Sequence, residues 1–483
     1  MGFLGPAVSA GLAANQDSPP IDPGEATLRL IRLFVLVVGV AAIGTMLARR
    51  IHLPYTVALV AFGMLAAAVS PLAVSITPQL VLVVLLPALV FDAAYRIDFG
   101  KLRSLLLGVG LLAGPGVLVS AALVAIFLNL GTGLPMAQAF VVGAMLAATD
   151  PVAVIATFRG LGSPRRLSTL IEAESLFNDG TGIVAFSIAV SFVSAPVSAW
   201  QMGLSFAGVV LVSTLVGLAT GWLASRLLVN VGDHLIEICL SVVLAYGTYL
   251  LADAASLSGV IATAVAGIVL GNYGRRLGLS ERTEQALDTI WEFVAFLATA
   301  FVFLLIGFVI THGQLFDAAG PIAWAVAAVL ISRAIIVYGF LGALRLVRRR
   351  TQAPPRVLAE AAERESTDRD STERESTERD FPLSWFHVIY WAGLRGAVST
   401  ALALSLPADF PNRSLLAEIT FGVVLFTLLV QATTAELVVR RWGRKPTRPR
   451  KRAKPPKVAG QSKQPKVDKP EKSKVRKPEK SKA

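Results

Sequence analysis

Apolar stretches about 20 residues long recur along most of this 483-residue chain, and they restrict its fold more than any other feature. A helix of this length crosses the roughly 30 Å hydrocarbon layer of a bilayer. Helices satisfy their own backbone hydrogen bonds, as a segment in lipid must. Only 16% of the residues are charged, against about 25% in soluble proteins. The sequence therefore predicts an all-α polytopic membrane protein.

The apolar stretches predict about thirteen transmembrane helices. Their positions are 27–48, 54–73, 76–95, 104–130, 137–158, 167–193, 203–225, 235–253, 256–272, 287–310, 320–346, 384–406 and 414–439. Lys and Arg occur in the odd-numbered loops between them, whereas the even-numbered loops contain neither before Arg413. Because positively charged loops stay in the cytoplasm, this alternation predicts a cell-membrane protein with its N-terminus outside and its C-terminus in the cytoplasm.

Two polar segments separate or follow the helices. Residues 363–380 repeat every five residues and hold nothing apolar to bury, so we expect disorder there. From Arg441 onward, 18 Lys and Arg residues face three acids, which more than accounts for the net charge of +13. No nucleic-acid motif accompanies this charge, and anionic lipid headgroups fit it. The predicted division is an extracytoplasmic segment at 1–26, helices one to eleven at 27–346, a charged cytoplasmic loop at 347–383, helices twelve and thirteen at 384–440, and a disordered basic cytoplasmic tail at 441–483.

Ionisable side chains inside the predicted helices are the candidates for function, because a charge in the middle of a bilayer is costly and rarely kept without a use. A single cysteine excludes an intramolecular disulfide and a thiolate metal cluster, and the four histidines have no metal-ligand spacing. The candidate positions are Asp92, Thr149-Asp150-Pro151, the segment from Glu172 to Asp179, Glu292 and Arg395, with Glu237 and Arg333 in or near helices.

The Thr149-Asp150-Pro151 step predicts an interrupted helix. Pro151 lacks an N–H group and its ring collides with the carbonyl of Ala147, and the residue before a proline avoids the α conformation. Backbone groups freed in this way are tolerated at mid-membrane only where they face protein or a water-filled cavity. A break beside a carboxylate is a candidate cation site. Capping of the second half-helix by Asp150 is the alternative, and both can hold together.

The stretch EAESLFNDGTG places several oxygen ligands on one face of the next helix. Ser175 and Asp179 are four residues apart, as are Glu174 and Asn178, so their side chains lie within about one turn of each other. Asp150 falls at a similar depth on the neighbouring helix. Carboxylate, hydroxyl and amide oxygens are hard ligands that suit a small cation. A structural polar network between helices is the alternative.

Arg395 is the expected counter-charge for these acids. Gly393 and Gly396 flank it, which indicates a second interrupted helix. The fifth and twelfth predicted helices run in opposite directions, as an inverted repeat would make them, and interrupted helices at matching positions are typical of a transporter's binding site. We expect Arg395 to form a structural ion pair with Glu174 rather than to bind substrate.

Six motifs, in family order, resemble those of the monovalent cation:proton antiporters of the NhaP and sodium–hydrogen exchanger type. They are LLPALVFDAAY (85–95), ATDPVAV (148–154), EAESLFNDGTG (172–182), FVFLLIG (301–307), ISRAIIVY (331–338) and GLRGAVSTALALS (393–405). The resemblance implies thirteen helices in an inverted-repeat antiporter fold with two interrupted crossing helices. It also implies a homodimer, and a core domain that moves against a dimerisation domain.

The resemblance also implies roles for the candidate residues. Asp179 would be the ion-binding aspartate. Ser175, Glu174, Asp150 and the Thr149 backbone would help to hold the monovalent cation. Asn178 stands where some relatives have a second aspartate, so one carrier carboxylate would remain.

The sequence therefore predicts a secondary antiporter, without enzymatic activity or a cofactor, that exchanges a monovalent cation for a proton. One carboxylate site that binds either species, but not both, couples the two flows and gives electroneutral 1:1 exchange. Na⁺ is the expected cation, and K⁺ and Li⁺ stay open. An intramembrane aspartyl protease is one alternative, although its Tyr-Asp and Gly-x-Gly-Asp surroundings are absent here. A cation channel is the other, and it would need a continuous pore.

Overall fold

Helices make up nearly all of the part of the chain that the computed structural model describes. It describes residues 38–47, 54–69, 78–161, 164–194, 198–228, 231–277, 281–311, 317–351 and 382–443, together with Val35, Arg50 and Leu315. Within this part, seven helices are long and apolar enough to cross a membrane. The predicted disordered segment at 363–380 and the predicted extracytoplasmic segment at 1–26 lie outside the described residues, as does the basic tail beyond residue 443.

The helices are labelled here in chain order. They are α1 Val38–Leu47, α2 Tyr55–Val69, α3 Leu86–Arg96, α4 Phe99–Ala113, α5 Pro115–Thr132, α6 Met136–Met145, α7 Val152–Leu161, α8 Arg165–Ser194, α9 Ala199–Leu228, α10 His234–Ala254, α11 Gly259–Val269, α12 Glu281–Thr311, α13 Ala319–Thr351, α14 Leu383–Trp391, α15 Ala397–Leu404, α16 Arg413–Phe426 and α17 Thr433–Trp442. The total of thirteen membrane crossings stays a prediction, because parts of three predicted spans lie outside the described residues.

Three π-helical turns lie within longer helical segments. Leu80–Leu85 leads into α3, Leu270–Gly274 follows α11, and Thr427–Ala432 joins α16 to α17. Such turns are rare and often occur at functional sites, because they redirect side chains within an otherwise regular helix. The third turn begins with Thr427, whose hydroxyl contacts the backbone of Arg395.

Helices α2 and α12 pack closely because glycines face each other between them. A Cβ atom added at Gly63 would lie 2.2 Å from the Leu304 carbonyl oxygen, and one at Gly307 would lie 2.1 Å from the Val60 carbonyl oxygen. Small residues that let helix backbones approach are the usual basis of helix packing in membranes. This contact fixes α12 as one wall of the site described below.

Helix α9 presents an apolar surface to its surroundings. Its buried residues form a narrow stripe of mostly small side chains, namely Phe206, Ser213, Gly217, Gly221, Ser225 and Leu228. Large side chains such as Trp200, Leu211 and Trp222 are exposed instead. An exposed surface of this composition fits lipid or another apolar partner.

Two helical segments are interrupted, as expected, and their breaks meet. The first lies between α6 and α7, and the second between α14 and α15. The Asp150 N–H donates to the Leu394 carbonyl oxygen at 2.9 Å, so backbone groups freed by one break are satisfied by the other. The prediction of two interrupted crossing helices is confirmed.

Candidate ion-binding site

Asp150 lies where the two breaks cross. Its Oδ1 atom accepts the Val152 N–H at 3.0 Å, and its side chain also accepts the Ala397 N–H. These two residues begin α7 and α15, whose N-terminal N–H groups carry partial positive charge. One carboxylate therefore caps both half-helices, which the capping alternative expected for α7 alone.

Gly396 makes this close crossing possible. A Cβ atom at this position would lie 2.3 Å from Asp150 Oδ2, far inside van der Waals contact. The glycines of the second break therefore allow close approach, besides interrupting the helix.

Glu174 forms a two-point ion pair with Arg333. The Arg333 Nη1 atom lies 2.6 Å from Glu174 Oε1, and Nη2 lies 2.9 Å from Oε2. The Nη2 atom also donates to the Ile389 carbonyl oxygen near the C-terminus of α14. Both side chains are buried. Paired, hydrogen-bonded charges of this kind are the form in which buried ions are stable.

This arrangement corrects the predicted pair of Arg395 with Glu174. Arg395 is 1% exposed, and its Nη1 atom donates to the Gly393 carbonyl oxygen at 3.0 Å. Its guanidinium therefore binds a backbone carbonyl within the second break, whereas Arg333, on α13, forms the ion pair with Glu174. Gly393 leaves room for this approach, because a Cβ atom there would lie 2.8 Å from Arg333 Nε.

The predicted polar residues on α8 join Thr149 in a buried network. Asn178 Nδ2 donates to Glu174 Oε1 at 2.7 Å and to Thr149 Oγ1 at 3.1 Å. Thr149 Oγ1 donates in turn to Ser175 Oγ at 3.1 Å. The network links α8 to the first break and fixes the orientation of each side chain. The structural polar network is therefore present, and the role of its oxygen atoms as cation ligands stays a prediction.

Asp150 and Asp179 line a cavity of about 750 Å³, which Thr149 of this network lines as well. Both aspartates are half-buried, and the negative charges of Asp150 and Glu174 act on the Asp179 carboxylate. Walls of the cavity come from α2, α3, α7, α8, α12 and α15. A solvent-sized path therefore reaches the crossing point of the two interrupted segments.

Three further candidate acids line the same cavity, whereas Glu237 on α10 does not. Asp92, Glu172 and Glu292 all line it, together with Arg96. The Arg96 Nε atom lies 2.7 Å from Asp92 Oδ1, and its Nη2 atom lies 3.6 Å from Glu292 Oε2. These acids belong to the entrance, on the side that the loop charges predict to be cytoplasmic, rather than to the crossing point.

Sequence reasoning missed two residues that organise the crossing. Arg333 was noticed as a charge in an apolar stretch but received no partner. Thr427 gave no signal, because a threonine in an apolar helix usually bonds to its own backbone. A count of the charges expected inside the membrane would have pointed to Arg333, since Arg395 alone cannot balance the several candidate acids.

Comparisons with known proteins match most of the chain. The family model described as sodium/hydrogen exchanger, transmembrane, matches residues 37–441. The Na⁺/H⁺ antiporter ApNhaP of Aphanothece halophytica is 38% identical over 413 residues, which cover 84% of this chain and 73% of that protein. The low-affinity Na⁺/H⁺ antiporter NhaS1 of Synechocystis is 36% identical over 391 residues, which cover 80% of this chain and 69% of that protein.

A solved structure shares the fold. The sodium proton antiporter MjNhaP1 from Methanocaldococcus jannaschii superposes with a TM-score of 0.65 at 17% identity, over 86% of this chain and 99% of that one. The superposition supports the architecture of packed helices with two interrupted segments.

Proposed function

Because this chain belongs to the sodium/hydrogen exchanger family, we propose that it exchanges Na⁺ for protons across the cell membrane at one carboxylate site built from Asp179 and Asp150. The relatives named above are Na⁺/H⁺ antiporters, which favours antiport over the channel and protease alternatives and over enzymatic activity. K⁺ and Li⁺ stay open as further substrates.

The observation that carries this proposal is the position of the two aspartates. They line the inner part of an open cavity at the crossing of two interrupted helices. A carboxylate in such a place binds either a proton or a cation, and the species that leaves must be replaced by the other. Burial disfavours an uncompensated charge, so the empty, ionised site is the least stable state and exchange is coupled.

The buried charges support an exchange of one cation for one proton. The crossing region holds three carboxylates, Glu174, Asp150 and Asp179, and two guanidinium groups, Arg333 and Arg395. Fully ionised, the set has one negative charge in excess, which a single monovalent cation or a single proton neutralises. Either occupant leaves the same net charge, and the exchange is electroneutral.

The hydrogen bonds divide the roles among these residues. Glu174 is neutralised by Arg333, and Asp150 is held by the first N–H groups of two half-helices. Asp179 is the carrier, and Asn178 contributes an amide rather than a second titrating carboxyl. Ser175 on α8 and the Thr149 backbone at the first break contribute further oxygen ligands.

The wider assembly is part of the same proposal. The chain spans the cell membrane many times, with its N-terminus outside and its C-terminus and basic tail in the cytoplasm, where anionic headgroups attract the tail. Two copies associate as a homodimer. The exposed apolar face of α9 is available for contact with lipid or with the second copy.

The function is tested with purified protein in proteoliposomes that contain a pH-sensitive dye. Addition of Na⁺ to the wild type should move protons, at a rate unchanged when a K⁺–valinomycin clamp sets the membrane potential to zero. Asp179→Asn should lower the rate to that of empty vesicles, because an amide cannot alternate between a proton and a cation. Glu418→Gln, a change on α16 outside the cavity, serves as the control. Na⁺-driven proton movement retained by Asp179→Asn would contradict the assignment.

A further inference from the structure

The hydroxyl group of Ser399 is buried without a hydrogen-bond partner in the described part of the chain. Ser399 is the third residue of α15, it is 1% exposed, and its Oγ atom has no partner there. The residue nevertheless lines the cavity that contains Asp150 and Asp179. A buried polar group in this state is uncommon, and an unseen ligand or water is the usual explanation.

Several other hydroxyls of the described helices behave differently, although Thr56 Oγ1 is also buried without a partner there. They donate to a carbonyl oxygen three or four residues earlier, as membrane helices commonly arrange. Examples are Thr181 to Phe177, Thr400 to Gly396, Ser405 to Leu402 and Thr420 to Leu416.

The helix break denies Ser399 this solution. The carbonyls three and four residues earlier belong to Gly396 and Arg395. The Gly396 carbonyl accepts both the N–H and the hydroxyl of Thr400, and the Arg395 carbonyl, which precedes the helix, lies 3.2 Å from the Thr427 hydroxyl. The Ser399 oxygen is therefore unpaired in the described part of the chain, on a residue that lines the cavity.

We propose that Ser399 Oγ is a ligand of the transported cation, contributed by the second interrupted segment. Gly396 directly precedes α15, one helical turn before Ser399 on the same face, and a Cβ atom added there would lie 2.3 Å from Asp150 Oδ2. This puts Ser399 on the side of α15 that faces Asp150. A hydroxyl oxygen is a hard ligand of the kind small monovalent cations take. The site is then closed from both breaks, with the two aspartates on one side and Ser399 on the other.

This inference rests on the proposed function and is tested by kinetics in the same proteoliposomes. Ser399→Ala should raise the KM for Na⁺ about three- to tenfold, as expected for one lost neutral oxygen contact, with kcat nearly unchanged. Ser399→Cys, which keeps the volume but replaces oxygen with a soft sulfur, should show the same rise. Ser399→Thr, which restores the oxygen, should return the KM to within about twofold of the wild type.

The matched control is Ser405→Ala, in which the lost hydroxyl bonds to the Leu402 carbonyl. A packing role for Ser399 would be rescued by cysteine, whereas a ligand role would not, and rescue by cysteine overturns the inference. Equal KM values for Ser399→Ala, Ser405→Ala and the wild type also overturn it and leave the proposed function intact. A wild type that moves no protons in response to Na⁺ overturns both.

Discussion

The two interrupted segments hold charges of opposite sign, and each charge meets the end of a half-helix that suits it. In the first break, the Asp150 carboxylate accepts N–H groups at the beginnings of α7 and α15. In the second, Arg395 donates to the Gly393 carbonyl and Arg333 donates to the Ile389 carbonyl, at the end of α14. Helix beginnings carry partial positive charge and helix ends partial negative charge.

Arg333, which reaches the second break from α13, and Asp150 differ in how completely each charge is satisfied. Arg333 has a full ionic partner in Glu174 as well as a carbonyl. Asp150 has only N–H donors, and it faces the cavity with Asp179. The Arg333–Glu174 pair is therefore a fixed part of the crossing. Asp150, in contrast, has no ionic partner among the described residues and faces the cavity. This contrast is what an exchange site needs.

The largest expected effect comes from Arg333→Met. Loss of this side chain leaves Glu174 as an unpaired buried charge, which costs about 3–5 kcal/mol in free energy of unfolding. Glu174→Gln should suppress part of that cost in the double variant, because the uncompensated charge is removed. The measurement is a double-mutant cycle from unfolding in mixed micelles.

The same cycle with Arg395→Met tests the assignment of partners. Its coupling with Glu174→Gln should be clearly smaller than that of Arg333→Met, because Arg395 donates to Gly393 rather than to Glu174. Arg440→Met is the control, since its ion pair with Glu436 lies on the exposed part of α17 and is worth about 0.5 kcal/mol at most. A larger coupling for Arg395 would restore the pair expected from sequence.

Gly396→Ala should come next in size. Its new methyl group would overlap Asp150 Oδ2, and overpacking of this kind typically costs about 1–3 kcal/mol. Because Asp150 is held by two half-helices, it cannot move away without opening the crossing, so Na⁺-driven proton flux should fall with stability. Gly393→Ala should be milder, since the atoms it meets belong to the longer Arg333 side chain. Equal effects of the two substitutions would show that the Asp150 carboxylate can move aside as readily as the Arg333 side chain.

Much of the fold followed from the sequence. Hydrophobic length predicted the helices, and Pro151 and the glycines around Arg395 predicted both breaks, because each of these residues acts on its own backbone. The family resemblance, confirmed by the comparisons, placed the candidate acids in one region. Local effects of this kind can be predicted from a single sequence.

The choice of ion-pair partners between distant helices could not be predicted from the sequence. Arg395 and Arg333 are both buried guanidinium groups within reach of the same region, and only the crossing geometry decides which of them meets Glu174. The Ser399 hydroxyl was overlooked for a related reason, since its missing partner is visible only after the neighbouring carbonyls have been assigned. Thr427 depends in addition on a π-helical turn that no residue pattern announced.

The smallest expected effect tests that turn. Thr427 Oγ1 accepts the Arg395 N–H at 3.1 Å, and its own proton has two acceptors in reach, the Val424 carbonyl oxygen at 2.9 Å and the Arg395 carbonyl oxygen at 3.2 Å, so one hydroxyl links the break to α16. Thr427→Val keeps the shape and removes these bonds, which should cost about 1 kcal/mol in free energy of unfolding. Thr427→Ser keeps the hydroxyl and should cost less. If neither Thr427→Val nor Thr427→Ser lowered the free energy of unfolding, the hydroxyl would not help to hold the second break. The shape of that break would then follow from Gly393 and Gly396.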